Sequence, residues 1–121
     1  KDAVKSLLKS TGGGVAAAID FVGAGPSFAF GFNVLRKAGK LVCVGLFGGS
    51  TPISPAMVSM KVATVAGSYV GSLEEMRELM QIARSQALPA LPVTMRSLAN
   101  VSDALQDLRE GRVRGRIVVR P

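Results

Sequence analysis

Three short apolar runs, each followed closely by glycine, constrain the fold of this chain more than any other feature. The runs are VAAAIDFV at 15–22, LVCVGLF at 41–47 and VATVAGSYV at 62–70. Nearly continuous apolar runs of this length are typical of strands that are covered on both faces, as in a parallel sheet. We therefore predict three buried parallel strands.

The segments around these runs carry helical patterns. Val4, Leu7 and Leu8 repeat at helical spacing, and Ser72 with Glu75 forms a capping box ahead of a stripe of Leu and Met. The predicted order begins with a helix at 2–10, a strand at 15–22, a helix at 27–38 opened by Pro26 and closed by Gly39, and a strand at 41–47. It continues with a loop that contains a short helical turn at 50–61, a strand at 62–70, a helix after Ser72, a linker at 89–92, a helix after Asn100 and a C-terminal strand. Helices that alternate with apolar strands predict an α/β sheet with right-handed crossovers.

The composition narrows the classes of function. Fifteen Lys and Arg against 8 Asp and Glu give a net charge of +7, which favours a partner that bears phosphate. The absence of histidine removes the commonest acid–base group and metal ligand. A single cysteine, Cys43, excludes an internal disulfide and favours a reducing compartment, so we expect a cytoplasmic protein. The chain starts at Lys1 inside an amphipathic pattern, which we interpret as the sign of a piece of a longer protein.

The C-terminal stretch REGRVRGRIVVRP places arginines at one parity and aliphatic residues at the other. Side chains alternate across a strand, so Arg112, Arg114, Arg116 and Arg120 would share a face. They could serve a nucleic acid, the phosphates of a small cofactor, or water alone. Against a nucleic acid, the chain has one tyrosine, no tryptophan and no aromatic platform between its basic residues.

Ligands of open α/β sheets bind outside the carboxyl ends of the strands. That rule selects 20–25, 44–49 and 67–71, all of which contain glycine. Asp20 lies near the end of a predicted strand, and we interpret it as a cap or turn residue rather than a catalytic base. Cys43 lies within the next strand and is interpreted as a small buried hydrophobe.

Five stretches in order, STGGGVAAAIDFVG, LRKAGKLVCVGLFGG, VAGSYVGS, LEEMRELM and LREGRVRGRIVV, resemble the medium-chain, zinc-type alcohol dehydrogenases over essentially the whole chain. The resemblance implies half of a doubly wound, Rossmann-like NAD(P)-binding domain at 1–88 and a segment at 89–121 that returns to the catalytic domain. It implies an enzyme that interconverts alcohols and aldehydes or ketones by hydride transfer, with NAD or NADP as cofactor. Zinc would belong to the parent protein, whose ligands and glycine fingerprint are missing here, so this fragment alone is expected to be inactive.

The same resemblance implies cofactor contacts but no catalytic and no metal-binding residue in this chain. Phe21, Val22 and Gly23 would lie against the cofactor, Val44, Gly45 and Leu46 beside the nicotinamide, Ser68 and Val70 at the carboxamide through their main chain, and Arg116 at the pyrophosphate, with Arg114 in reserve. Two alternatives stay open. One is a zinc-free quinone or enoyl reductase of the same superfamily, and the other is a non-catalytic basic module that binds nucleic acid.

The missing half of the sheet carries a further expectation. In the family's strand order, the strand at 15–22 pairs with a strand that this chain lacks, which leaves an open edge. Members of the family also often dimerise through the strand that matches 62–70. We therefore expect the protein to be a homo-oligomer and this chain alone to self-associate.

Overall fold

The computed structural model describes residues 2–85 and 88–121, which divide into two compact units, one that ends at Ser72 and one that begins at Leu73. The first unit contains α1 (Asp2–Ser10), β1 (Val15–Asp20), α2 (Gly25–Asn33), β2 (Leu35–Cys43), α3 (Pro55–Lys61) and β3 (Thr64–Gly67). The second contains α4 (Leu73–Ser85), β4 (Val93–Ser97), a 3₁₀ turn (Leu98–Asn100), α5 (Val101–Arg109) and β5 (Arg116–Arg120).

The first unit is built on a parallel sheet with the strand order β1-β2-β3. Asp20 pairs with Cys43 and Cys43 with Gly67, so the three strands end level with one another. The predicted α/β fold with parallel strands is confirmed, and β1 lies at the edge of the sheet as expected. The prediction that all three strands are buried is wrong: Ile19 of β1 is 58% exposed and Val65 of β3 is 44% exposed. β1 and β3 are shorter than their apolar runs, whereas β2 begins at Leu35, six residues before its run. All three runs leave the regular ladder early, after Asp20, Cys43 and Gly67.

The core of the first unit lies between α2 and the sheet. Phe32, Leu35 and Leu41 form its centre, and Leu41 is completely buried. A Cβ at Gly31 would come within 2.8 Å of Leu41 Cδ1, which shows how closely α2 approaches β2. The partly buried hydrophobic residues around this centre are Val15, Ala18, Phe28, Ile53, Val58 and Ala63.

The predicted helix at 27–38 is wrong at its C-terminal end, because α2 ends at Asn33. Leu35 is buried in the core and already pairs with Val15 of β1. Ala38 then adopts a left-handed φ of 57°, and the β1–β2 register shifts between Val15 and Ala17. Tertiary burial of Leu35 therefore prevails over the local helical pattern.

A lysine from α3 terminates α2. The Lys61 ammonium donates hydrogen bonds to the carbonyl oxygens of Phe32, Asn33 and Leu35 at 3.0, 2.9 and 2.9 Å. It also lies 5.4 Å from the centre of the Phe32 ring, at cation–π distance. Burial lowers the pKa of Lys61 from its usual value. One side chain thus satisfies carbonyls that the end of a helix leaves without intrahelical partners.

Lys61→Met is expected to lower the free energy of unfolding by about 2 kcal/mol, because carbonyls near the core would lose an ionised donor. Lys37→Met is the matched control: Lys37 is exposed, and its replacement is expected to cost less than about 0.5 kcal/mol. Urea unfolding of the two variants checks this. Equal costs would contradict the capping role of Lys61.

The second unit holds a two-stranded parallel sheet, in which β4 pairs with β5 from Val93–Arg116 to Ser97–Arg120. The sequence predicted β5 but not β4, because Val93–Ser97 is short and follows the prolines of the predicted linker. Asp107 of α5 accepts from Arg96 at 3.1 Å and from Arg112 at 2.7 Å. Arg112, predicted to share a strand face with the other tail arginines, is instead paired with Asp107 and lies outside β5. No helix in 2–85 or 88–121 combines the length and the apolar character that a membrane crossing requires.

Candidate functional site

Past the level ends of β1 and β2, the two chain segments stay paired through their main chains. Val44 N and Gly45 N donate to Asp20 O at 2.9 and 3.0 Å. Phe47 N donates to Val22 O at 3.1 Å, and Gly48 N donates to Gly23 O at 3.0 Å. We name these paired segments, 21–24 and 44–48, the rim. The rim extends the sheet at its carboxyl edge, where ligands of such sheets bind.

Two glycines allow the rim segments to approach each other. A Cβ at Gly23 would lie 1.7 Å from Gly45 O, and Gly23 has a left-handed φ of 67°. A Cβ at Gly45 would lie 2.1 Å from the carbonyl carbon of Val22. Side chains are therefore excluded from both positions.

Asp20 organises the turn that begins the rim. Asp20 is only 6% exposed. Oδ1 accepts from Val22 N at 2.9 Å and Gly23 N at 3.0 Å, and Oδ2 accepts from Ser27 Oγ at 2.9 Å. These hydrogen bonds, that from Gly23 foremost, hold the pKa of Asp20 below its usual value although burial opposes them. The expected cap or turn role is confirmed.

Most of the predicted cofactor contacts lie together at this edge. The rim contains Phe21, Val22, Gly23, Val44, Gly45 and Leu46. Ser68 follows β3 directly, and its N–H donates to Cys43 O at 2.9 Å, which ties the end of the third strand to the second. Val70 is exposed and has a left-handed φ of 50°, uncommon for a β-branched residue.

Arg116, predicted to contact phosphate, belongs to the second unit. It is the first residue of β5, and its N–H donates to Pro92 O at 2.9 Å while its side chain is exposed. Arg114 is also exposed and precedes the strand. The alternation expected for the tail therefore holds for Arg116 and Arg120 only.

The rim presents apolar side chains outward. Phe21 is 74% exposed and Leu46 77%, and Phe47, which was not among the predicted contacts, is 84% exposed. The signal for Phe47 was its position at the end of the run 41–47, directly before Gly48. Patches of large, solvent-exposed apolar side chains are typical of surfaces that bind a ligand or another protein.

A cavity of about 310 Å³ lies beside the rim, between the turn 23–25 and residues 49–51. Phe28 and Cys43 line it from α2 and β2. The Cys43 thiol is half-buried and lies 3.7 Å from Gly45 O. Within 2–85 and 88–121, the structure shows no cluster of three or more His, Cys, Asp or Glu side chains that could hold a metal ion.

Comparisons with known proteins agree with this architecture. An alcohol dehydrogenase of Moraxella sp. (strain TAE123) is 33% identical over 118 residues, 98% of this chain and 34% of that protein. An NAD-dependent alcohol dehydrogenase of Sulfolobus acidocaldarius is 30% identical over 92% of this chain and 33% of its own length. The crystal structure of the Aeropyrum pernix alcohol dehydrogenase superposes with a TM-score of 0.85 at 32% identity, covering all of this chain and 35% of that one.

The chain thus spans about a third of the length of the curated relatives it matches. Residues 1–85 match a family model described as zinc-binding dehydrogenase. That range contains the whole rim and all three strands that position it. With the sequence match and the fold in agreement, the chain belongs to the zinc-binding dehydrogenase family.

Proposed function

We propose that this chain is part of an NAD(P)-dependent alcohol dehydrogenase and supplies one side of its cofactor site. The observation that carries the proposal is the family match over 1–85, the range that contains the rim. In this proposal, 1–88 is the second half of the cofactor-binding domain and 89–121 is the segment that returns to the catalytic domain. Bound nicotinamide supplies or accepts the hydride, and the chain contributes binding and orientation.

The residues of the rim fit such a cofactor. Phe21, Val22 and Leu46 present apolar side chains at the carboxyl edge, where a planar ring could pack. The main chain under them is fixed by the Val44, Gly45 and Phe47 hydrogen bonds. A rigid apolar wall limits the orientations of the ring, which favours hydride transfer by positioning.

The remaining assignments follow the same proposal. Ser68 and Val70 would bind the carboxamide through their main chain, and Arg116 would bind the pyrophosphate. A guanidinium can hold phosphate oxygens through two parallel hydrogen bonds. We assign no zinc ligand and no catalytic group to this chain, and we propose that it is inactive alone. We also propose that the whole enzyme is a cytoplasmic homo-oligomer.

Cofactor binding by the enzyme that contains this chain tests the proposal. Titration with NADH and NADPH is expected to give saturable binding of at least one of them, and oxidation of primary and secondary alcohols should form the same reduced cofactor. Failure to bind either dinucleotide would contradict the proposal. Binding of arbitrary DNA that weakens steeply with salt would favour the basic nucleic-acid module instead.

Arg116→Ala is expected to raise the Kd for the dinucleotide about tenfold in that enzyme, because a charge-assisted phosphate contact is lost. Arg120→Ala is the matched control, since Arg120 is an exposed arginine of the same strand at the same parity. Its Kd should stay within about twofold of wild type. A normal Kd for Arg116→Ala with a raised Kd for Arg114→Ala would move the phosphate contact to Arg114.

A further inference from the structure

Two polar side chains hold the turn 20–27 through a network of hydrogen bonds. Asp20 is buried, and its carboxylate accepts three hydrogen bonds, from Val22 N, Gly23 N and Ser27 Oγ. Ser27 Oγ in turn accepts from Ala24 N at 3.1 Å. Two side chains thereby satisfy three consecutive main-chain donors. We name this pair the Asp20–Ser27 clamp.

The clamp acts on the face of the turn opposite the pairing of the rim. The N–H groups of Val22 and Gly23 bond inward to Asp20, while their carbonyl oxygens accept from Phe47 N and Gly48 N. Residues 22 and 23 are therefore held on both sides of the main chain. Hydrogen bonds to an ionised acceptor are about twice as strong as neutral ones, so the carboxylate is the stronger holder.

The geometry points to Asp20 as a positioning residue for the dinucleotide: the Asp20–Ser27 clamp keeps residues 21–24 in the conformation that the bound cofactor requires. This inference rests on the proposed function. Gly23 has a left-handed φ and lies against the main chain of Gly45. Without the clamp, the turn can adopt other conformations, and these would break the hydrogen bonds of the rim. When only a fraction of the molecules is competent to bind, the apparent Kd rises by the inverse of that fraction.

Substitution of the clamp residues in the enzyme that contains this chain tests the inference. Asp20→Ala is expected to raise the Kd for NADH about tenfold, corresponding to a competent fraction of about one tenth. The kcat at saturating cofactor should stay within about twofold, because cofactor binding restores the turn. Asp20→Asn keeps an acceptor for Val22 N and Gly23 N and should raise the Kd less. Ser27→Ala, which frees Ala24 N, should also lie between wild type and Asp20→Ala.

Lys61→Met serves as the control, because it destabilises the same unit far from the rim pairing. Its Kd should stay within about twofold of wild type. Hydrogen exchange gives a second readout: in Asp20→Ala, the amides of Val22 and Gly23 should exchange at least tenfold faster, while those of β2 at 41–43 keep their protection.

Three results would overturn the inference. One is a normal Kd in Asp20→Ala, and another is an equal rise in Kd in Lys61→Met, which would reduce the effect to general destabilisation. The third is unchanged exchange at Val22 and Gly23. Failure of the wild-type enzyme to bind NADH or NADPH is a separate outcome: it would overturn the proposed function, and the assigned role of Asp20 would fall with it.

Discussion

Gly23→Ala is expected to lower the free energy of unfolding by about 3–4 kcal/mol, the combined cost of a left-handed alanine and of a forced displacement of packed main chain. The added methyl group would lie 1.7 Å from Gly45 O at a φ of 67°. Since neither atom belongs to a flexible side chain, the segments 21–24 and 44–48 must separate. The hydrogen bonds from Phe47 N and Gly48 N would be lost with them.

Gly12→Ala is the matched control for the backbone term. Gly12 has a φ of 64°, and no described atom lies within 4 Å of a Cβ built there, so the change should cost only about 1 kcal/mol. Gly45→Ala isolates the cost of displacing packed main chain, because it places a methyl group 2.1 Å from the carbonyl carbon of Val22 without a left-handed φ. Urea unfolding of the three variants gives the comparison. A cost for Gly23→Ala no larger than for Gly12→Ala would contradict the close approach at the rim.

The glycines of the rim also show how much the sequence could predict. Apolar runs that stop at glycine located the three strands of the first unit and the edge at which they end, because strand burial and turn chemistry are both local signals. The turn role of Asp20 followed in the same way, since Asp commonly bonds N–H groups two or three residues ahead. The close approach of Gly23 to the carbonyl oxygen of Gly45 could not be predicted, because it depends on the pairing of segments about twenty residues apart.

Long-range contacts explain the errors. α2 ends early because Leu35 enters the core and Lys61, from a later helix, binds the carbonyl oxygens of Phe32 and Asn33. β4 was not predicted because its hydrogen-bonding partner is β5, from which it is separated in the sequence by α5. Each of these depends on residues that the local pattern does not connect.

Leu41→Ala is expected to lower the free energy of unfolding by about 3 kcal/mol, the usual cost of truncating a fully buried leucine. Leu41 has no exposed surface and packs in the centre formed with Phe32 and Leu35, where Gly31 already approaches it closely. The surroundings cannot collapse easily onto the cavity, because α2 is held by Lys61 and β2 by both of its neighbouring strands.

Leu46→Ala, the same substitution five residues later, is expected to affect cofactor binding rather than the free energy of unfolding. Leu46 is 77% exposed, so its truncation should change stability by less than about 0.5 kcal/mol. In the enzyme that contains this chain, it should raise the Kd for NADH about fivefold, because an apolar wall of the proposed site is removed. Leu41→Ala, assayed where it remains folded, should leave that Kd within about twofold. If Leu46→Ala instead destabilised the fold and left the Kd unchanged, the apolar surface of the rim would be packing surface rather than a cofactor wall.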